Sequence, residues 1–98
     1  MKTIGLVGGM SWESSAEYYR IINETVKRKL GGLHSAVCIL SSLDFYEIEK
    51  AQSEGDWERV STILSQAAIG LEKAGADFFL LCSNTVHKVA ALIEQQVT

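Results

Sequence analysis

The sequence predicts an α/β fold of three layers, a mainly parallel sheet flanked by helices, and three observations carry that expectation. Short apolar runs alternate with segments whose apolar residues recur at steps of three and four, the periods of buried strands and amphipathic helices. The runs are nearly continuous in apolar character, as strands covered on both faces are. Turn-forming or small polar residues stand where each run gives way to the next segment: Gly8 and Gly9 after the first, Asp44 after the second, Ser83 to Thr85 at the third. The order strand, helix, strand, helix, strand, helix then implies right-handed crossovers and helices on both faces of a parallel sheet.

Residues 2–8 read as the first strand, ending in a tight turn at Gly8 and Gly9. Ser11 is placed to cap the first helix, whose apolar face is read as Tyr19, Ile22, Val26 and Leu30. The basic group Lys27, Arg28 and Lys29 suits the negative end of that helix, and Gly31 and Gly32 stop it. Residues 36–43 form the second strand, and Asp44 opens a looser segment with room for a helical turn. Asp56 is the expected cap of the next helix, with Trp57, Val60, Leu64, Ala67 and Leu71 on one face and Gly75 at its end. The third strand starts at Asp77, and Val86, Val89, Ala90 and Ile93 mark one face of a last helix.

A length of 98 residues, 47% of them hydrophobic, suits one domain over residues 1–98 with its own core. Net charge is near -3, and acidic and basic residues alternate along the helical stretches without a basic block. That disfavours binding to nucleic acid through phosphate neutralisation. The apolar start KTIGLVG meets turn residues too early for a secretory core and has no cleavage-like site, so a cytoplasmic protein with no membrane partner is expected. Cys38 and Cys82 fall in different strands without a paired spacing, which predicts reduced thiols rather than a disulfide or a CxxC metal site. His34 and His87 lie far apart, and no spacing argues for a metal. The chain stops in a helical pattern where the alternation calls for another strand, so it reads as truncated before that strand and part of a larger protein. An incomplete α/β unit exposes apolar surface and a sheet edge, and association into a homo-oligomer is expected.

Two strand exits carry the candidate chemistry. In GLVGGMSWES, Gly8 and Gly9 let the backbone approach a ligand, and Met10, Ser11 and Trp12 offer amides at a helix start, where a carboxylate or phosphate can bind. The plainer reading is a turn that needs small residues. The spacing is not GxGxxG and no acidic residue ends the second strand, so a dinucleotide site is weakly supported. In LLCSNTVHK, Cys82, Ser83, Asn84 and Thr85 put a thiol, a hydroxyl, an amide and a second hydroxyl in a row at the exit of the third strand. In a parallel sheet that edge binds ligands. Asn84 or Thr85 also serves as an ordinary helix cap, and Cys82 as a small core thiol. His87 falls in the first helical turn, where local packing is favoured over proton transfer. On the residues alone Gln52 is a surface glutamine, and His34, Tyr18, Tyr19 and Trp57 belong to packing or half-buried surface.

Taken together, KTIGLVGGMSWES, LGGLHSA, SLDFYEIE and above all EKAGADFFLLCSNTVHK resemble the aspartate/glutamate racemase family, in its broad aspartate/glutamate racemase branch, over essentially the whole chain. The resemblance implies a Rossmann-like half of a two-domain enzyme that needs no cofactor. Its substrate, a small acidic amino acid, would lie in the cleft between similar domains, with one proton-transferring residue from each side. The family's second cysteine has no counterpart here. The family commonly carries cysteine directly before the NT pair, whereas this chain has Ser83 there and Cys82 one residue earlier. Side chains alternate faces along a strand, so a shift of one normally turns Cys82 away from where Ser83 points, although strand exits break that parity. Ser83 and Cys82 both stand as catalytic candidates. The family's substrate contacts map onto Met10, Ser11, Ser83, Asn84 and Thr85, with Gln52 a weaker carry-over.

The resulting expectation is an aspartate or glutamate racemase of which this chain supplies one side and is inactive alone. Its rivals are a non-catalytic carboxylate-binding or interaction module and a nucleotide-binding domain.

Overall fold

The computed structural model describes residues 1–82 of the chain. Its elements run β1 (Ile4–Gly8), α1 (Trp12–Leu30), β2 (Cys38–Ser42), α2 (Phe45–Ser53), α3 (Trp57–Lys73) and β3 (Phe78–Leu81). The strands form one parallel sheet in the order β2-β1-β3, with Ile4 opposite both Cys38 and Phe78. All five residues of the central strand β1 are buried, which is why that run carries no polar residue.

The two faces are covered by different helices. Tyr18, Ile22 and Val26 of α1 pack with Ile4, Leu6, Leu80 and Cys82, and Ala67 and Leu71 of α3 pack with Val7 on the other face. This arrangement comes from the strand order. The chain leaves β1 for β2 on one side and then crosses back past β1 to β3, and two right-handed crossovers in opposite directions place their helices on opposite faces. The reversal leaves a switch point between β1 and β3, and at such a point the loops leaving the strands' carboxyl ends part to form a crevice.

Local chemistry sets the element ends. The Asp56 carboxylate accepts from the Arg59 N–H at 3.1 Å, the cap expected for α3. Gly31 ends α1 with φ +74°, its N–H on the Lys27 carbonyl at 2.7 Å. The side chain of Asn23 pins the connection from α1 to β2, taking the Ala36 N–H at 2.9 Å. At the amino edge of the sheet, Thr3 and Asp77 hold β1 and β3 together, N–H to carboxylate at 2.7 Å and N–H to carbonyl at 2.8 Å.

Several sequence expectations need correction. The looser segment after Asp44 is a nine-residue helix, because Asp44 caps it through the Tyr46 N–H at 3.1 Å and Ile48 and Ala51 bury on one side. The buried tyrosine of α1 is Tyr18, not Tyr19, which is 51% exposed. The face runs Ser15, Tyr18, Ile22, Thr25, Val26, and starting it at a serine hid its register. Trp57 is exposed at the start of α3, before that helix reaches the sheet. Ser11 occupies the N-cap position of α1 but its side chain makes no capping bond. Among the described residues, both cysteines are free, no three His, Cys, Asp or Glu side chains converge on a metal position, and no helix is long and apolar enough to cross a membrane.

Candidate functional site

The switch point is built from the backbone of the β1 exit. Gly9 has φ +91°, and a Cβ on it would lie 2.1 Å from the Leu43 carbonyl oxygen, so a side chain there collides with the loop leaving β2. The neighbouring Gly8 carbonyl accepts from the Leu43 N–H at 2.8 Å, fastening that loop to the turn. These two glycines let β1 end inside the sheet and α1 begin after three intervening residues, so the positive end of α1 stands at the carboxyl edge. The first N–H groups of any helix lack intrahelical acceptors, and an anion brought there meets donors and a favourable dipole together.

Met10 is half-buried against the α3-side cluster. Ser11 is half-buried too; its carbonyl accepts from the Ser15 N–H at 3.2 Å, and its hydroxyl lies 3.4 Å from that of Ser14. Met10 and Ser11 therefore lie in the turn between β1 and α1, at the carboxyl edge of the sheet. Gln52 is exposed in the last turn of α2, where its carbonyl accepts from the Gly55 N–H at 3.0 Å. His34 sits in the connection after α1, at the opposite edge of the sheet.

At the second exit, Cys82 comes directly after β3 and its N–H bonds the Val7 carbonyl at 2.9 Å, extending the ladder to the edge. Its side chain is 2% exposed and belongs to the α1-side cluster with Tyr18 and Leu80. Burial pushes the Cys82 thiol up from its ordinary range, and a hydrogen bond with Ser15 pulls the other way less strongly. Burial likewise raises the Tyr18 phenol, with a smaller contribution from the charge Cys82 would carry. A thiol so placed is neutral near neutral pH and packs as a small apolar group. Ser83, Asn84 and Thr85, the other residues expected at this exit, lie outside the described residues, as does His87.

One participant carried no signal in the sequence. Ser15 is buried, and its hydroxyl accepts from the Gly9 N–H at 2.8 Å and donates to the Ser11 carbonyl at 3.2 Å. A serine inside a helix more often points to water, so nothing in SWESS marks the second of its last two serines as a link to the β1 exit. The one useful sign was spacing: Ser15 precedes Tyr18, Ile22 and Val26 on a single helical stripe.

The arrangement is thus a glycine turn with a helix amino end beside a second strand exit. A family model described as Asp/Glu/Hydantoin racemase matches residues 7–98. Among solved structures, a candidate Asp/Glu racemase from Yersinia pestis is 58% identical with a TM-score of 0.84, over 97% of this chain and 41% of its own. An aspartate racemase homologue from Pyrococcus horikoshii OT3 is 34% identical with a TM-score of 0.77, over 100% of this chain and 42% of its own. The chain spans about two fifths of the length of these solved relatives. With both strand exits inside the matched span, the chain belongs to the Asp/Glu/hydantoin racemase family.

Proposed function

We propose that this chain forms one side of the active site of an amino-acid racemase acting on aspartate or glutamate without a cofactor, by proton transfer at the α-carbon. The observation that carries the reading is the juxtaposition of the β1 and β3 exits at the switch point, in a chain of this family. The substrate carries two carboxylates and one ammonium group. The amino end of α1, with the Met10 and Ser11 turn, supplies amide donors for a carboxylate, and Ser83, Asn84 and Thr85 supply hydroxyl and amide groups for substrate contacts.

Racemisation needs one group to remove the α-proton and a second, on the opposite face, to return one. Cys82 is poorly suited to the first role, because its thiol is buried under α1 and burial disfavours the thiolate. Ser83, the other candidate at this exit, is then the residue we assign to this side of the substrate. A serine hydroxyl is a weak base without a partner, whereas it can hand a proton to a carbanion formed by a stronger base opposite. The exchange is accordingly asymmetric: the enantiomer whose α-proton faces the other side of the cleft reacts faster. The reading assigns that other side to residues outside this chain, which spans about two fifths of the length of its solved relatives. The chain alone holds one half of the acid/base pair and is inactive.

The test is a chiral assay of aspartate and glutamate with a protein of the relatives' length that includes this sequence. Interconversion of either pair is expected. Binding of aspartate or glutamate without interconversion would instead identify a carboxylate-binding module and overturn the proposal.

A further inference from the structure

Phe79 is 48% exposed inside a strand whose other three residues are buried or half-buried. Side chains alternate along a strand, and Phe78, Leu80 and Cys82 belong to the α1-side cluster while Leu81 packs on the α3 side. Phe79 therefore lies on the α3 side as well. That helix does not cover it. Ala67 and Leu71 centre α3 on Val7 of β1, and a helix about 10 Å wide over strands about 4.8 Å apart leaves the outer side of β3 open. Between that side and the flank of α3 runs a groove lined by Phe79, Ile69, Ala68, Glu72 and Ala76. Ile69 is 51% exposed, so two large apolar side chains from different elements border the groove without filling it.

We propose that this groove seats the chain's own apolar stripe Val86, Val89, Ala90 and Ile93, which lies outside the described residues. The stripe has the spacing i, i+3, i+4 and i+7, one face of a helix. Handedness selects the groove. The chain travels from β2 past β1 to β3 with α3 on one face, and a right-handed connection that goes on to the open side of β3 keeps its helix on that same face, beside α3. Length agrees. Cys82 closes the ladder at the carboxyl edge, and the three residues from it back to Phe79 span about 10 Å of strand. The seven residues from Val86 to Ile93 span about 10 Å of helix, which brings Ile93 level with Phe79 and Ile69. Ala68 and Ala76, small residues on the groove wall, leave room for a second helix to approach α3 closely. None of this depends on the racemase reading.

The experiment uses the full 98-residue chain. In a methyl-labelled sample, NMR is expected to show NOEs from the Ile93 methyls to the Phe79 ring and to Ile69. A mixture of differently labelled copies separates contacts within one molecule from contacts between two. In parallel, urea denaturation compares Phe79→Asp, Ile93→Asp and the double variant with Gln95→Glu, a position opposite the stripe on the same helical wheel. Each Asp variant is expected to raise the unfolding constant about tenfold or more, the scale of one large apolar side chain denied its burial. The double variant should lose less than the product of the two, because either change alone already opens the groove. Gln95→Glu should change the constant by no more than about twofold.

Absence of Ile93 to Phe79 NOEs in the wild-type chain overturns the proposal, whether or not the variants fold. NOEs found only between copies also overturn it and assign the groove to a second molecule. Contacts within one copy together with strictly multiplicative losses overturn it too, since side chains that share a groove are coupled.

Discussion

Gly9→Ala is the substitution whose cost the structure defines most sharply. The residue has φ +91°, where an L side chain is strained by about 1–2 kcal/mol on its own. The added Cβ would also meet the Leu43 carbonyl oxygen at 2.1 Å and the Leu43 nitrogen at 2.6 Å. Both are backbone atoms, and Leu43 cannot retreat without breaking its N–H bond to the Gly8 carbonyl at 2.8 Å, worth about 1 kcal/mol. The sum is a loss of about 3 kcal/mol before any repacking of the β2 exit. Gly55→Ala is the matched control, because Gly55 also has positive φ, +71°, but a Cβ there meets nothing within 4 Å. It should lose only about 1 kcal/mol. Urea denaturation of the chain, monitored by circular dichroism with the slopes compared, separates the two. The gap of about 2 kcal/mol corresponds to a factor of roughly 30 in the unfolding constant. If Gly9→Ala proves no more destabilising than Gly55→Ala, the close approach of β1 exit and β2 exit is not what the sequence needs a glycine for.

The same geometry yields other outcomes. Asp56→Ala removes the carboxylate that accepts from the Arg59 N–H at 3.1 Å, and should lower stability by about 1 kcal/mol in the same urea assay, with Asp56→Asn recovering most of it. Stability should fall on the alkaline side: burial raises the Cys82 and Cys38 thiols in the folded chain, so the unfolded chain gives up its thiol protons first. The thiol contribution is therefore complete below the unfolded value of about 8.5 and declines as pH rises through the folded values. A Cys38→Ala, Cys82→Ala chain should show a flatter loss of Tm from pH 8 to 10, and an unchanged slope would contradict the burial of both groups. Neither ADP nor NAD should raise the Tm, whereas saturable protection by either would favour a nucleotide-binding domain.

What the sequence disclosed and what it hid divide along a physical line. Continuous apolar runs such as the one through Ile4, Leu6 and Val7, and turns that need glycine such as Gly8 and Gly9, are written in residue type and were legible. The Asp56 cap was legible because a carboxylate before a helical stripe has few other uses. Register was less so. Two adjacent tyrosines made Tyr19 as plausible as Tyr18 until the sheet chose the stripe that begins at Ser15. The helix α2 is short, and its signal rests on Asp44, Ile48 and Ala51, too few positions for periodicity to stand out. At the candidate site, the glycine turn and the cluster at Cys82 and beyond were visible as residue types. The hydroxyl of Ser15 that holds the glycine turn was not, because burial of one serine in a helix is decided by packing partners remote in sequence.

The central claim is that this chain contributes one of two proton-transferring groups, at Ser83 rather than at the buried Cys82. Deuterium wash-in at the α-carbon tests it most directly, using the longer protein in D2O with each enantiomer of aspartate and glutamate, as wild type, Ser83→Ala and Cys82→Ala. The account predicts unequal wash-in from the two enantiomers, a fall of about 100-fold or more in Ser83→Ala, and exchange largely kept in Cys82→Ala once its lower stability is allowed for. Equal wash-in from both enantiomers, with exchange lost in Cys82→Ala and kept in Ser83→Ala, would contradict it.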